Sequence, residues 1–154
     1  MRLEKVISGG QTGVDRAGLD AAMATGIPVS GYCPKGRRAE DGRIPDRYPL
    51  MELLSENYRD RTERNVMESD ATLILTLGAI SGGTTVTIQL AEKHGKPFMI
   101  EALDGDPVPT RVASWLTKHS VRVLNIAGPR ESQHPGSVHA KAKTFLLLVF
   151  GTQL

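Results

Sequence analysis

The chain predicts an α/β fold, an open and mainly parallel sheet with helices on both faces in three layers. Two observations carry that prediction. Short runs rich in Val and Ile alternate with segments of helical period along the 154 residues, the order expected of parallel strands crossed over by helices. Gly-rich stretches follow three of the strand-like runs, where an open parallel sheet turns back into helices.

The elements follow in order. Val6-Ile7 opens a strand over residues 5–8. Val14, Ala17, Ala21 and Ala24 then recur at helical spacing up to Gly26, a natural terminator. Residues 27–32 resume an extended run, and residues 33–57 show little periodicity. A stretch of that length without structure is usually a functional loop or disordered. A helix is expected over 59–68, a strand over 71–77 and a helix over 84–94 stopped by Gly95. A strand over 97–102, a helix over 109–119 and a strand over 121–126 complete the alternation. The closing segment 137–150 stays open between two readings, because Lys141 and Lys143 suit a helix surface while residues 145–150 are apolar on all sides. That apolar tail is also a candidate interface.

A chain of this length is one domain, 1–154. With 40% apolar and 23% charged residues it should bury an ordinary core. Its net charge of +2, from 19 basic and 17 acidic residues, is too small and mixed for a nucleic-acid partner. No apolar run approaches the roughly 20 residues of a membrane span, and the start has no room for a secretory signal. The expected location is cytoplasmic, away from membranes. Cys33 is the single cysteine, so no intrachain disulfide or multi-thiolate metal site can form, and it reads as a half-buried loop thiol. His94, His119, His134 and His139 show no metal-binding helical pair, so no protein-ligated metal is expected.

The candidate site lies on the glycine loops. Ser8-Gly9-Gly10-Gln11-Thr12-Gly13 runs from a strand into a helix, where free N–H groups favour an anion such as phosphate. On this reading Gly10→Val fills the phosphate space and leaves the fold intact. The sequence is neither a dinucleotide fingerprint nor a nucleoside-triphosphate loop. Thr12 and Asp15 also have capping-box spacing, so at Asp15 a cap and a ligand contact stand as alternatives. Gly82-Gly83-Thr84-Thr85 repeats the pattern, and Asn125, Gly128 and Arg130 supply a third loop on the same sheet edge. Lys35 and Arg37 in the long segment are placed to close over a phosphate, the alternative being a solvated loop with internal ion pairs. Arg64 and Asn65 join the candidates because Asn is a poor helix-interior residue. No nucleophile and base can be nominated from spacing, so catalytic residues stay unassigned.

Ser8 to Asp15, Gly31-Tyr32-Cys33-Pro34-Lys35-Gly36-Arg37, Ser81-Gly82-Gly83-Thr84 and Asn125 to Ser132 occur together and in this order. In that combination the chain resembles the molybdenum carrier family, also described as a circularly permuted YpsA-like branch of the SLOG superfamily, Rossmann-like and related to the lysine-decarboxylase-like proteins. The resemblance covers nearly the whole chain. It implies a Rossmann-like sheet, self-association into a homo-oligomer, and binding of the molybdenum cofactor, a molybdopterin, or of a related nucleotide. Molybdenum would arrive on the dithiolene sulfurs of the pterin. The phosphoribohydrolase branch carries Gly-Gly-x-Gly-Thr-x-x-Glu, whereas here Gly82-Gly83-Thr84-Thr85-Val86-Thr87-Ile88 lacks the second glycine and the acid. The expected function is therefore a binding or carrier protein for a phosphorylated small molecule, nucleotide-like or pterin-like. The alternatives are a nucleotide-processing hydrolase using Asp15 or Glu131 for N-glycosidic cleavage, or a nucleotide-sensing module.

Overall fold

In a computed structural model, described here over residues 2–153, the predicted alternation folds as β1 (Lys5–Ile7), α1 (Val14–Ala24), β2 (Val29–Ser30), β3 (Tyr32–Cys33), β4 (Arg38–Ala39), β5 (Gly42–Arg43), β6 (Met51–Glu52), α2 (Tyr58–Glu68), β7 (Ala71–Thr76), α3 (Gly82–Lys93), β8 (Phe98–Ala102), α4 (Pro109–Lys118), β9 (Val123–Ala127), a 3-10 turn (Glu131–Gln133) and α5 (Val138–Gly151). Five strands form the central sheet in the order β2-β1-β9-β7-β8. Every pairing in it is parallel, as with Val6 opposite Leu124 and Leu73 opposite Ile126. β7 is buried at each position, as a central strand covered on both faces requires.

From β1 the chain moves outward to β2, and from β7 it moves outward the other way to β8. Because such crossovers are right-handed, α1 and α3 lie on opposite faces. α5 packs against α1 and α4 on one face, and α2 packs against α3 on the other. The larger core joins Val14 and Ala17 of α1, Val112 and Leu116 of α4, and Leu146 and Val149 of α5 to the sheet. Among the described residues no helix is long and apolar enough to cross a membrane.

Two segments resolve differently from the periodicity, and a third takes one of the two readings left open. The run 27–32 breaks at Gly31, whose φ is 140° and whose Cβ would stand 2.1 Å from the carbonyl of Ser8; β2 stays in the main sheet while β3 leaves to pair with β6. The closing segment is a helix, with Val138, Ala142, Phe145, Leu146, Val149 and Phe150 buried. Its apolar content therefore serves the core, and only Leu147 and Leu148 of the tail face outward.

The segment 33–57 is ordered rather than a structureless loop. Its strand pairs are short, but Ala39, Ile44, Tyr48 and Leu50 close over Leu19 and Cys33 in a second core, so Cys33 is fully buried rather than half-buried. The Arg37 guanidinium sits at its centre and donates to the carbonyls of Ile44 (3.1 Å), Leu50 (3.2 Å), Pro45 (2.9 Å) and Tyr48 (2.8 Å). One side chain thus satisfies acceptors that a sheet ladder would otherwise satisfy, and periodicity cannot register that.

Candidate functional site

β9 lies between β1 and β7, so the loops leaving the C-terminal ends of these three strands are neighbours. They open a cleft of about 310 Å³ where α1 and α3 diverge to opposite faces, the usual place for a ligand in an open α/β sheet. Its walls come from Gly9, Gln11 and Asp15 after β1, from Ser81, Gly83 and Thr84 at the start of α3, and from Asn125, Gly128 and Arg130 at the end of β9. α2 adds Tyr58, Arg59, Arg61, Thr62 and Asn65.

Each glycine loop has its own construction. Gly13 has φ 79°, and its Cβ would lie 2.4 Å from the carbonyl of Pro129. Val14 donates its N–H to that carbonyl (3.1 Å), and the N–H of Arg16 goes to Gln11 (3.1 Å). Two N–H groups of the first turn of α1 are therefore taken up by the protein itself. The start of α3 is the more open one. Ser81 caps it by accepting from the N–H of Thr84 (3.3 Å), while Gly82 and Gly83, in the first turn, have N–H groups without an intrahelical acceptor.

Gln11 is 4% exposed. Its side-chain oxygen accepts from the N–H groups of Thr12 (3.1 Å) and Glu40 (2.9 Å). Its Nε2 is buried without a partner among the described residues. An unmet buried donor costs free energy, and here it belongs to a residue lining the cleft.

Arg61 reaches across from α2. Its Nη1 donates to the carbonyl of Gly9 (2.9 Å) and stands 3.6 Å from Asp15. Burial raises the Asp15 pKa, with Arg61 and the N–H of Gln11 opposing in part. Glu40 joins the two loops that flank Gln11. It accepts from the hydroxyl of Thr12, from the N–H of Ser132 (3.1 Å) and from the Ser132 hydroxyl (2.6 Å). Burial favours the neutral acid, but these hydrogen bonds and Arg130 outweigh it and hold Glu40 below the usual carboxylate range.

The predicted residues divide accordingly. Gly9, Gln11, Asp15, Asn65, Gly83, Thr84, Asn125, Gly128 and Arg130 line the cleft. Gly10 does not; its φ is 74° and its Cβ would meet Leu50 at 2.5 Å, so a side chain there strikes the second core and not a phosphate. Thr12 and Gly13 hold loops together, and the Thr85 hydroxyl donates to the carbonyl of Ser81 (3.2 Å). Gly82 stands beside the lining residues at the start of α3. Lys35 is exposed on the far segment, and Arg37 is turned into the second core. Arg64 pairs with Glu68 (3.0 Å) and lies over the Tyr32 ring. The Asn65 amide clamps the backbone of Tyr32, accepting at 2.9 Å and donating at 3.0 Å. Of the two carboxylates weighed for catalysis, Asp15 is in the cleft. Glu131 instead accepts from the N–H of His139 (2.8 Å) at the start of α5.

Sequence reasoning passed over Arg61, Tyr58 and Arg59. A signal existed, since Arg61 and Asn65 are four apart and share with Val66 the buried face of α2; a cation on a buried helix face needs a reason. Among the described residues no group of three or more His, Cys, Asp or Glu side chains could hold a metal.

A five-stranded parallel sheet, helices on both faces and a cleft at its switch point define a Rossmann-like α/β protein. Within that class the chain belongs to the circularly permutated YpsA SLOG family, whose model matches residues 6–150. It is also similar to the crystal structure of a putative molybdenum carrier protein from Syntrophus aciditrophicus SB, with 44% identity and a TM-score of 0.89 over 97% of this chain and 95% of that one. A comparison with curated proteins gave no match.

Proposed function

We propose that the cleft binds a phosphate-bearing small molecule, nucleotide-like or pterin-like, and that the protein is a carrier or binding protein, with the molybdenum cofactor as the named candidate cargo. The observation that carries this reading is the buried, unpartnered Nε2 of Gln11 in a cleft walled by Arg59, Arg61 and Arg130 against the single carboxylate of Asp15. Such a wall favours an anion. The open start of α3 adds main-chain donors of the kind that hold phosphate. Family membership and the description of the similar protein as a molybdenum carrier support the same reading. These donors would take the phosphate of a molybdopterin, and any molybdenum would be held by the pterin's own sulfurs.

The test is mass spectrometry of small molecules released from natively purified protein, with molybdenum quantified in the same sample. A pterin phosphate with stoichiometric molybdenum supports the carrier reading. A nucleotide without molybdenum moves the protein to the nucleotide-binding branch, and a protein that neither retains nor binds either class overturns the proposal.

One observation favours an enzymatic alternative. Asp15 is a buried carboxyl with raised pKa inside the cleft, the condition in which a carboxyl can serve in proton transfer. Release of base from nucleoside monophosphates, abolished in Asp15→Asn, would support N-glycosidic cleavage; turnover at blank level removes it.

A further inference from the structure

The cleft contains two kinds of anion receptor. One is the start of α3, where Ser81, Gly83 and Thr84 line the wall and the N–H groups of Gly82 and Gly83 lack helical acceptors. The other is a set of guanidinium groups around one ring. Arg61 and Arg130 of the cleft wall stand 5.2 and 5.5 Å from the centre of Tyr58, and Arg38, outside that lining, stands 5.3 Å from it; Arg59 lines the same wall. Arg61 is engaged with Gly9 and stands 3.6 Å from Asp15, and Arg130 has Glu40 at 3.9 Å. Among the described residues the side chains of Arg38 and Arg59 form no ion pair.

Like charges gathered around one ring repel one another, and an anion among them relieves that cost. Tyr58 offsets part of it through its ring face, but the Glu40 carboxylate is already taken up by Thr12 and Ser132. The orphaned Gln11 Nε2, in the same cleft, is a third donor awaiting an acceptor. If each receptor takes one anionic group, a single phosphate leaves the other unmet.

We propose that the cleft is built for a ligand with two anionic groups, a diphosphate ester, one group taken by the main-chain N–H groups at Gly82 and Gly83 and the other by Arg130 and Arg59. This rests on the phosphate-binding reading of the same cleft and narrows it. A pyrophosphate link supplies two adjacent anionic centres, whereas a monoester supplies one.

The experiment is calorimetric titration of the full chain with inorganic orthophosphate and inorganic pyrophosphate, on the wild type, Arg130→Gln and Gly82→Pro. Gly82 is the first residue of α3, where proline is accepted and removes one N–H donor without breaking the helix. Ser81 before it is already extended, with φ −80° and ψ 166°, as a residue preceding proline prefers. Wild-type protein is expected to bind pyrophosphate more tightly than orthophosphate by at least about tenfold. Each variant, its folding checked by circular dichroism, is expected to lose most of that preference while changing orthophosphate affinity by less than about threefold, because the other receptor remains. If orthophosphate and pyrophosphate bind alike, or if both variants weaken the two probes equally, the two-receptor inference is overturned and the phosphate-binding reading survives. If neither probe binds, the two-receptor inference falls, and the phosphate-binding reading is decided by the mass spectrometry of the retained molecules.

Discussion

Arg61 donates from α2 to the carbonyl of Gly9, 52 positions away in the chain, at 2.9 Å. The same guanidinium lies 3.6 Å from Asp15 and closes the floor of the cleft; a Cβ on Gly9 would come within 2.2 Å of its Nη1. The first glycine is required here for the close approach of an arginine.

Arg61→Met should cost about 2–4 kcal/mol of stability, because it leaves a buried carbonyl and a buried carboxylate without their cation. Arg61→Lys should recover little of this, since a point charge lacks the planar fork. Urea titrations of the three proteins measure it; a lysine variant as stable as wild type would show that charge alone suffices.

Asp15→Asn keeps an acceptor for the N–H of Gln11 and removes the charge. Burial, opposed in part by Arg61, raises the folded-state pKa above 3.8, so the native state binds this proton more tightly than the unfolded chain. Its contribution is fully present below the unfolded pKa and is lost as pH rises through the folded one. Relative to wild type the asparagine variant should therefore gain stability between about pH 4 and 7, read from denaturation at both. An asparagine variant that loses stability relative to wild type as pH rises would contradict the assignment.

Arg37→Ala should destabilise by about 3 kcal/mol or more, by stranding buried carbonyls in the second core. Any loss of ligand binding should accompany unfolding of segment 33–57 and be the same at every salt concentration. A salt-sensitive loss in a fully folded variant would return Arg37 to the ligand.

Asp20 ties three elements together. It accepts from the Tyr48 hydroxyl (2.8 Å) and Arg47 (2.9 Å) and faces Nε2 of His139 at 2.7 Å. Burial would raise its pKa, but the hydrogen bonds from His139, Tyr48 and Arg47 outweigh burial and lower it. That contribution is present above the unfolded pKa of 3.8 and is lost as pH falls through the lowered value. Tyr48→Phe should cost about 1.5 kcal/mol near neutral pH and weaken the acid dependence; denaturation midpoints at pH 3 and pH 7 that shift equally would argue that the hydroxyl is not coupled to Asp20.

The layered α/β class, the α1, α2, α3 and α4 periods and the three loops of the sheet edge could all be read along the chain. Each is a local pattern: a helix writes its buried face at three- and four-residue spacing, and glycine marks the turns that lead into or out of it. Gly9, Gln11, Asp15, Gly83, Asn125, Gly128 and Arg130 were legible for that reason as residues that line the cleft. Residues placed by contacts distant in sequence were not. Arg37 looked like a loop cation that closes over a phosphate because its four carbonyl partners are spread over Ile44 to Leu50. Gly10 looked like a ligand glycine because nothing nearby announces Leu50 above it. The sequence alone determined the architecture, the sheet edge and most of the loops that meet there. The tertiary structure decided that β9 threads between β1 and β7 and brings those loops together, that α3 presents more free donors than α1, and that α2 walls the cleft with Arg61; these depend on which surfaces bury one another, a property that no local window of residues contains.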